Sequence, residues 1–285
     1  MQYPEVTYRL VKALKQRSDV HAVAVVGSYA SGTQRPDSDI DICAFYRSDL
    51  DVVALADCIC GEFGLTSSEV QLTTPGGWGN WVDGGGWLTL EGQRVDIVYR
   101  CIDRLEKELD HIWAGEIELD YLQAPAFGYF NFTWAAELRS TDPIFDPDGN
   151  IAALIKRMDT FPEVLKIKGS SIFLHAAQFA SVIGKKALAN ENWFTARPCC
   201  DRAIWAICLA LYSANGVWIP AEKRVMKEIV NLKYVPDRLV DRFITIQSSK
   251  LTAHSFKTVD SVIQEATELS QKALQRKSAA DSGGD

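Results

Sequence analysis

Long apolar runs are missing from this chain. No stretch approaches the roughly 20 residues needed to cross a bilayer, which argues against a helical membrane protein. Histidine is scarce, four in 285 residues, and scattered. Cysteine is present but not in metal-ligating patterns. Cys58 and Cys60 are separated by one residue and Cys199 and Cys200 are adjacent, and neither pair has zinc-ribbon spacing. An excess of basic residues is also absent: 30 Lys and Arg face 37 Asp and Glu, for a net charge of −7. A protein that grips long nucleic acid relies on a basic stripe, so the charge argues against that class. It suits a small cationic or neutral substrate, and equally serves plain solubility. No internal repeat or low-complexity tract occurs, which excludes solenoids and fibres. The opening "MQYPEVTYRL" has neither the basic start nor the apolar stretch of a signal peptide. The expectation is a cytoplasmic protein with reduced thiols. With 47% hydrophobic and 24% charged residues, the chain can build a core without disulfides or structural metal.

The first hundred residues differ in texture from the rest. Residues 4–18 carry apolar side chains at helical spacing behind Pro4. "HAVAVVGSYA" reads as a buried strand running into a turn, and "DIDICAFYR" as an alternating second strand. "DLDVVALADCICGEFG" reads as a helix closed by Gly64. "EVQLTT" reads as a third strand, and "WLTLEGQRVDIVYR" as two strands joined around Glu91-Gly92. The predicted order is α-β-β-α-β-β-β. From about Leu105 the pattern is helical, interrupted by "STDPIFDPDGN", a cluster of turn signals. The fold class is therefore α+β. Residues 1–104 carry a small mixed sheet, 105–277 an all-α bundle, and 278–285 a disordered tail.

The sheet carries the chemistry, in "VGSYASGTQRPDSDIDI" from Val26 to Ile42. Residues i and i+2 of a strand share a face, so Asp39 and Asp41 project side by side while Ile40 and Ile42 face a core. Two carboxylates this close repel unless a cation sits between them. Oxygen ligands in this number point to a divalent metal, Mg²⁺ in the first place. Asp96, flanked by apolar residues in "QRVDIVYR", is the candidate third carboxylate, since an acid inside an apolar strand needs a partner. Three such groups can hold two metal ions for in-line displacement at phosphorus, and one of them can deprotonate an attacking hydroxyl. Gly27 allows a tight turn and close backbone approach. The amides there and the Ser28 hydroxyl can cradle a triphosphate, with Ser31-Gly32 extending the cradle. Asp37 reads as a brace for this loop. The glycine-rich stretch "GGWGNWVDGGGW" reads as a hairpin connection with core-facing tryptophans. Its alternative is a loop over a cleft, with Trp78, Trp81 or Trp87 stacking on a base or sugar and Asp83 meeting a cationic acceptor.

Gly27-Ser28 followed by Asp39-Ile40-Asp41 resembles the signature of the DNA polymerase β-like nucleotidyltransferase superfamily, with Asp96 where that family has its third carboxylate. The resemblance implies transfer of a nucleoside monophosphate from a nucleoside triphosphate, ATP by default, with release of pyrophosphate. It implies that Asp39 and Asp41 bind metal and that Asp96 binds metal or acts as base. An α/β domain followed by a helical bundle is similar to the antibiotic nucleotidyltransferases, which act on aminoglycosides or lincosamides. "RAIWAICLALYSANGVWIPAEKRVMKEI" resembles a helical segment of the aminoglycoside adenylyltransferases, whose matching Arg and Lys contact the nucleotide phosphates. Those positions are Arg202 and Lys223, with Lys227 one helical turn further on. The implied partner is a small-molecule hydroxyl acceptor. A protein or tRNA acceptor and a catalytically silent nucleotide-binding regulator are the alternatives. The missing basic stripe weighs against tRNA, and the intact Asp39, Asp41 and Asp96 weigh against the silent regulator.

Overall fold

The computed structural model describes residues 2–122 and 127–281. Two compact units are formed, Met1–His111 with Glu118–Thr160, and Ile112–Ile117 with Phe161–Asp285.

The first unit is built on a five-stranded sheet. In chain order its elements are α1 (Glu5–Leu14), β1 (Ala22–Val26), α2 (Gly27–Ala30), β2 (Ile40–Tyr46), α3 (Val52–Phe63), β3 (Gly85–Leu90), β4 (Gln93–Cys101) and α4 (Ile102–Trp113). Then come β5 (Leu119–Asp120), β6 (Tyr129–Phe130), α5 (Asn131–Ala136), β7 (Thr141–Phe145) and α6 (Asn150–Arg157). The strand order is β3-β4-β2-β1-β7. β2 and β4 run parallel, whereas the other neighbours pair antiparallel. Sequence alternation decides which face is buried. Val23, Val25, Ile40, Ile42, Ala44, Val95, Ile97, Leu88 and Leu90 form one core with Val6, Leu10 and Leu14 of α1 and Leu55 and Ile59 of α3. The hairpin between β3 and β4 turns through Glu91 at φ 51° and Gly92 at φ 80°. Two left-handed residues give the tight turn whose twist matches that of the strands.

Three sequence expectations fail in this unit. "EVQLTT" is not a strand; it is irregular chain held by a Thr73 N–H bond to Gly85 O at 2.8 Å. "STDPIFDPDGN" contains β7 as well as a turn. β7 carries Pro143, which has no N–H to donate, and it lies at the sheet edge where none is needed. Because β7 pairs with β1, residues 118–160 pack with the sheet, and the expected boundary after residue 104 does not coincide with the compact units.

The second unit is helical: α7 (Glu163–Ala189), α8 (Trp193–Asn215), α9 (Glu222–Glu228), α10 (Leu239–Ser248) and α11 (Ala253–Asp281). α8 begins earlier than its periodicity suggests. Asn192 caps it by accepting the Thr195 N–H, and the helix runs through Pro198. Small residues on α7 allow close packing. A Cβ on Gly169 would lie 2.6 Å from Ser213 Oγ of α8, and one on Gly184 2.6 Å from Phe256 Cε1 of α11. Of the tail expected to be disordered, the stretch to Asp281 continues α11, and residues 282–285 lie outside the described residues. No helix among the described residues is long and apolar enough to cross a membrane. All seven cysteines are free thiols.

Candidate active site

The site is a row of side chains across the sheet face opposite the core. β1 places Val26 beside Asp41, the parallel register of β2 and β4 places Asp41 beside Asp96, and β3 places Trp87 beside Asp96. Laterally paired residues share a face and neighbouring strands lie about 4.8 Å apart, so Asp41, Asp96 and Trp87 form a line. Asp39, just ahead of β2, falls two residues before Asp41 on the same side. Arg94 falls two before Asp96.

Gly27 anchors the β1 end of this row. Its φ is 67°, a left-handed conformation that glycine adopts without strain. A Cβ there would sit 2.9 Å from Asp41 Cγ and closer still to Oδ2, so only glycine leaves room for that carboxylate. The turn continues into α2. Ser31 Oγ lies 2.9 Å from Gly27 O, 3.2 Å from Ser28 O and 2.9 Å from Thr33 Oγ1. The Ser31 hydroxyl is thus turned back onto its own loop and braces the turn.

The carboxylates are electrostatically coupled. Burial, and then the Asp39 charge, raise the pKa of Asp96, against a smaller lowering by Arg94. Arg94 Nε lies 2.6 Å from Asp39 Oδ1, and its Nη2 donates to Asp37 O. Asp39 Oδ1 is itself buried, with the Arg94 guanidinium as the cation it faces. Asp41 and Asp96, paired across β2 and β4, are further acids on this face, oxygen donors of the kind a hard divalent cation takes. Arg94 was not legible as a site residue, because its place beside Asp39 depends on the parallel pairing of β2 with β4.

The other end of the same face is closed. Cys43 and Phe45 are buried there. Arg100 lies over Trp134 of α5, 5.5 Å from the ring, donates to Trp134 O at 3.4 Å, and pairs with Glu137, which also accepts from Tyr129. Asp83 is likewise structural. It is buried, accepting from Tyr46 Oη at 3.0 Å and Cys101 N at 3.1 Å, and it pairs with Arg104. It is not free to meet an acceptor. Trp81 is buried, whereas Trp87 is 72% exposed. Arg202 and Lys223 are exposed residues of α8 and α9 in the second unit.

Part of the chain is similar to a known family. Residues 8–112 match the family model of the nucleotidyltransferase domain. The matched residues run from α1 to α4 and include all three carboxylates, and β7 joins the sheet from outside them. No curated protein matches the chain. Among solved structures, a nucleotidyltransferase-like protein from Exiguobacterium sibiricum 255-15 aligns with 96% of this chain and 74% of its own. Its identity is 13% and its TM-score 0.45.

Proposed function

We propose that this chain transfers a nucleoside monophosphate, AMP from ATP by default, to a hydroxyl of a small molecule, an aminoglycoside-type compound in the first place. The observation that carries this reading is the lateral register of Asp41 with Asp96, alongside Asp39 and the Gly27 turn, inside a nucleotidyltransferase domain. Asp39, Asp41 and Asp96 would hold one or two Mg²⁺ ions. Such ions supply charge neutralisation for the triphosphate and polarise its α-phosphorus. The amides of Gly27 and Ser28 take the departing phosphates, and Ser31 keeps their turn in shape. Asp96, on the side away from the Gly27 turn, accepts the proton of the attacking hydroxyl. The acceptor oxygen bonds to the α-phosphorus as the bond to the bridging oxygen breaks, and pyrophosphate leaves on the opposite side. The assignment of Arg202 and Lys223 to the nucleotide phosphates rests on sequence resemblance.

The test is pyrophosphate release by the full chain with Mg²⁺, each of the four nucleoside triphosphates, and a panel of aminoglycosides and lincosamides. Release with one acceptor, lost in Asp41→Asn, is the expected result. Nucleotide binding that is absent in the wild type, or unchanged in Asp41→Asn, would refute the reading. Nucleotide binding that needs Asp41, without release on any panel member, would refute the antibiotic-type acceptor and leave the nucleotide site standing.

A further inference from the structure

In-line displacement fixes where the acceptor comes from, because nucleophile and leaving group sit on opposite sides of the reacting phosphorus. The phosphate turn at Gly27 adjoins the β1 side of Asp41. The acceptor side is therefore the opposite one, over Asp96 and beyond it over β3. There the residue paired with Asp96 is Trp87, on the edge strand of the sheet. Trp87 is 72% exposed, an unusual state for the largest apolar side chain. It is not loose: its ring stacks on Trp78 with centroids 4.7 Å apart and planes at 23°. Thr89, the next β3 residue on that face, is also exposed, whereas Leu88 and Leu90 point into the core. The result is a flat indole, backed on one side and lying in line with the group assigned to take the acceptor's proton.

We infer that Trp87, held by Trp78, is the platform that positions the ring of the acceptor. Such a ring lays its C–H face on the indole, which directs a ring hydroxyl along the row toward Asp96. An extended protein segment or a ringless polyamine offers no such face. This inference rests on the transfer reading above and names the residue that positions its acceptor.

The test uses the full chain labelled with 5-fluorotryptophan, with the Trp87 resonance assigned from Trp87→Phe. Mg²⁺ with α,β-methylene-ATP is titrated first, and its absence of binding to the wild type marks failure of the transfer reading itself, read before any acceptor is added. Kanamycin A, spectinomycin and lincomycin follow, with spermidine as a ringless cation. At least one ring probe is expected to shift the Trp87 resonance, and spermidine is expected to leave it in place. Affinity for that probe falls about tenfold in Trp87→Ala, equivalent to ~1.4 kcal/mol and the size of a lost ring stack. Trp87→Phe regains most of it, and nucleotide affinity is the same in all three proteins. The inference is overturned if no ring probe moves the Trp87 resonance, or if a probe binds Trp87→Ala as well as wild type. It is equally overturned if Trp87→Ala weakens nucleotide binding, which would put the indole on the nucleotide side.

Discussion

Replacing Gly27 with alanine separates two costs that the structure lets us measure independently. The first is conformational: φ at Gly27 is 67°, and a left-handed L-residue costs roughly 1–2 kcal/mol. For a chain of this size that lowers the melting temperature by about 2–8 °C. The second is local. The new Cβ lies 2.9 Å from Asp41 Cγ, so the carboxyl carbon must retreat by about 0.6 Å to reach roughly 3.5 Å, the ordinary contact distance. Oδ2, closer still, must move further. Catalytic groups tolerate about 0.5 Å, and a displacement near 1 Å can cost on the order of 100-fold. Gly64→Ala is the control. Its φ is 65° and a Cβ there meets nothing within 4 Å, at the C-terminal end of α3. Differential scanning fluorimetry should show similar stability losses for the two variants. Nucleotide-dependent pyrophosphate release should fall about 10- to 100-fold in Gly27→Ala and change by less than about twofold in Gly64→Ala. Equal activities in the two variants would refute the view that Gly27 is there to make room for Asp41.

Other consequences follow from the same face of the sheet and from the bundle. The folded-state pKa of Asp96 is raised, so this group favours the native state below its unfolded pKa. That contribution is lost as pH rises through its folded value. Asp96→Asn should therefore abolish turnover yet raise the melting temperature of the metal-free protein near pH 8, a gain that vanishes toward pH 4; a lower melting temperature at pH 8 would contradict it. Arg94→Gln removes the cation paired with Asp39, an exposed pair worth about 0.2–1 kcal/mol. Calorimetry should then give Mg²⁺ affinity up to about fivefold higher, and weaker binding would show that Arg94 supports the ion instead of competing with it. Gly184→Val drives a methyl-bearing carbon into Phe256 and should destabilise the helical unit by about 1–3 kcal/mol, seen as a lower urea midpoint. An unchanged midpoint would mean that α7 and α11 repack freely there.

The sheet was legible wherever one face is apolar and the other is not. Ile40-Asp41-Ile42 and Val95-Asp96-Ile97 alternate so cleanly that strand, face and candidate carboxylates came out together, and Glu91-Gly92 marked the hairpin. What failed depends on partners distant in sequence. "EVQLTT" has the composition of a strand, but Gly86 packs so closely against Gln71 that a side chain there would clash, and the backbone passes without forming a ladder. β7 was hidden because Pro143 and the flanking aspartates look like turn chemistry, and only an edge position tolerates them. Arg94 looks like an ordinary hairpin residue until the register places it beside Asp39, and only the register singles out Trp87 from the other tryptophans of its stretch by placing it beside Asp96. Asp83 shows the converse: an acid in a glycine-rich stretch suggests a ligand contact, whereas a buried tyrosine and a half-buried arginine as partners make it structural.

Three carboxylates and the Gly27 turn are proposed above to form one metal-dependent nucleotide site. Its most direct test is titration of fluorescent ATP into the full chain, with Mg²⁺ and with EDTA, for the wild type and Asp41→Asn. Binding is expected to need Mg²⁺ and to weaken at least about tenfold in the variant, since even the groups behind metal ligands are worth about 10- to 100-fold. Binding that survives EDTA, or that Asp41→Asn leaves intact, would contradict it.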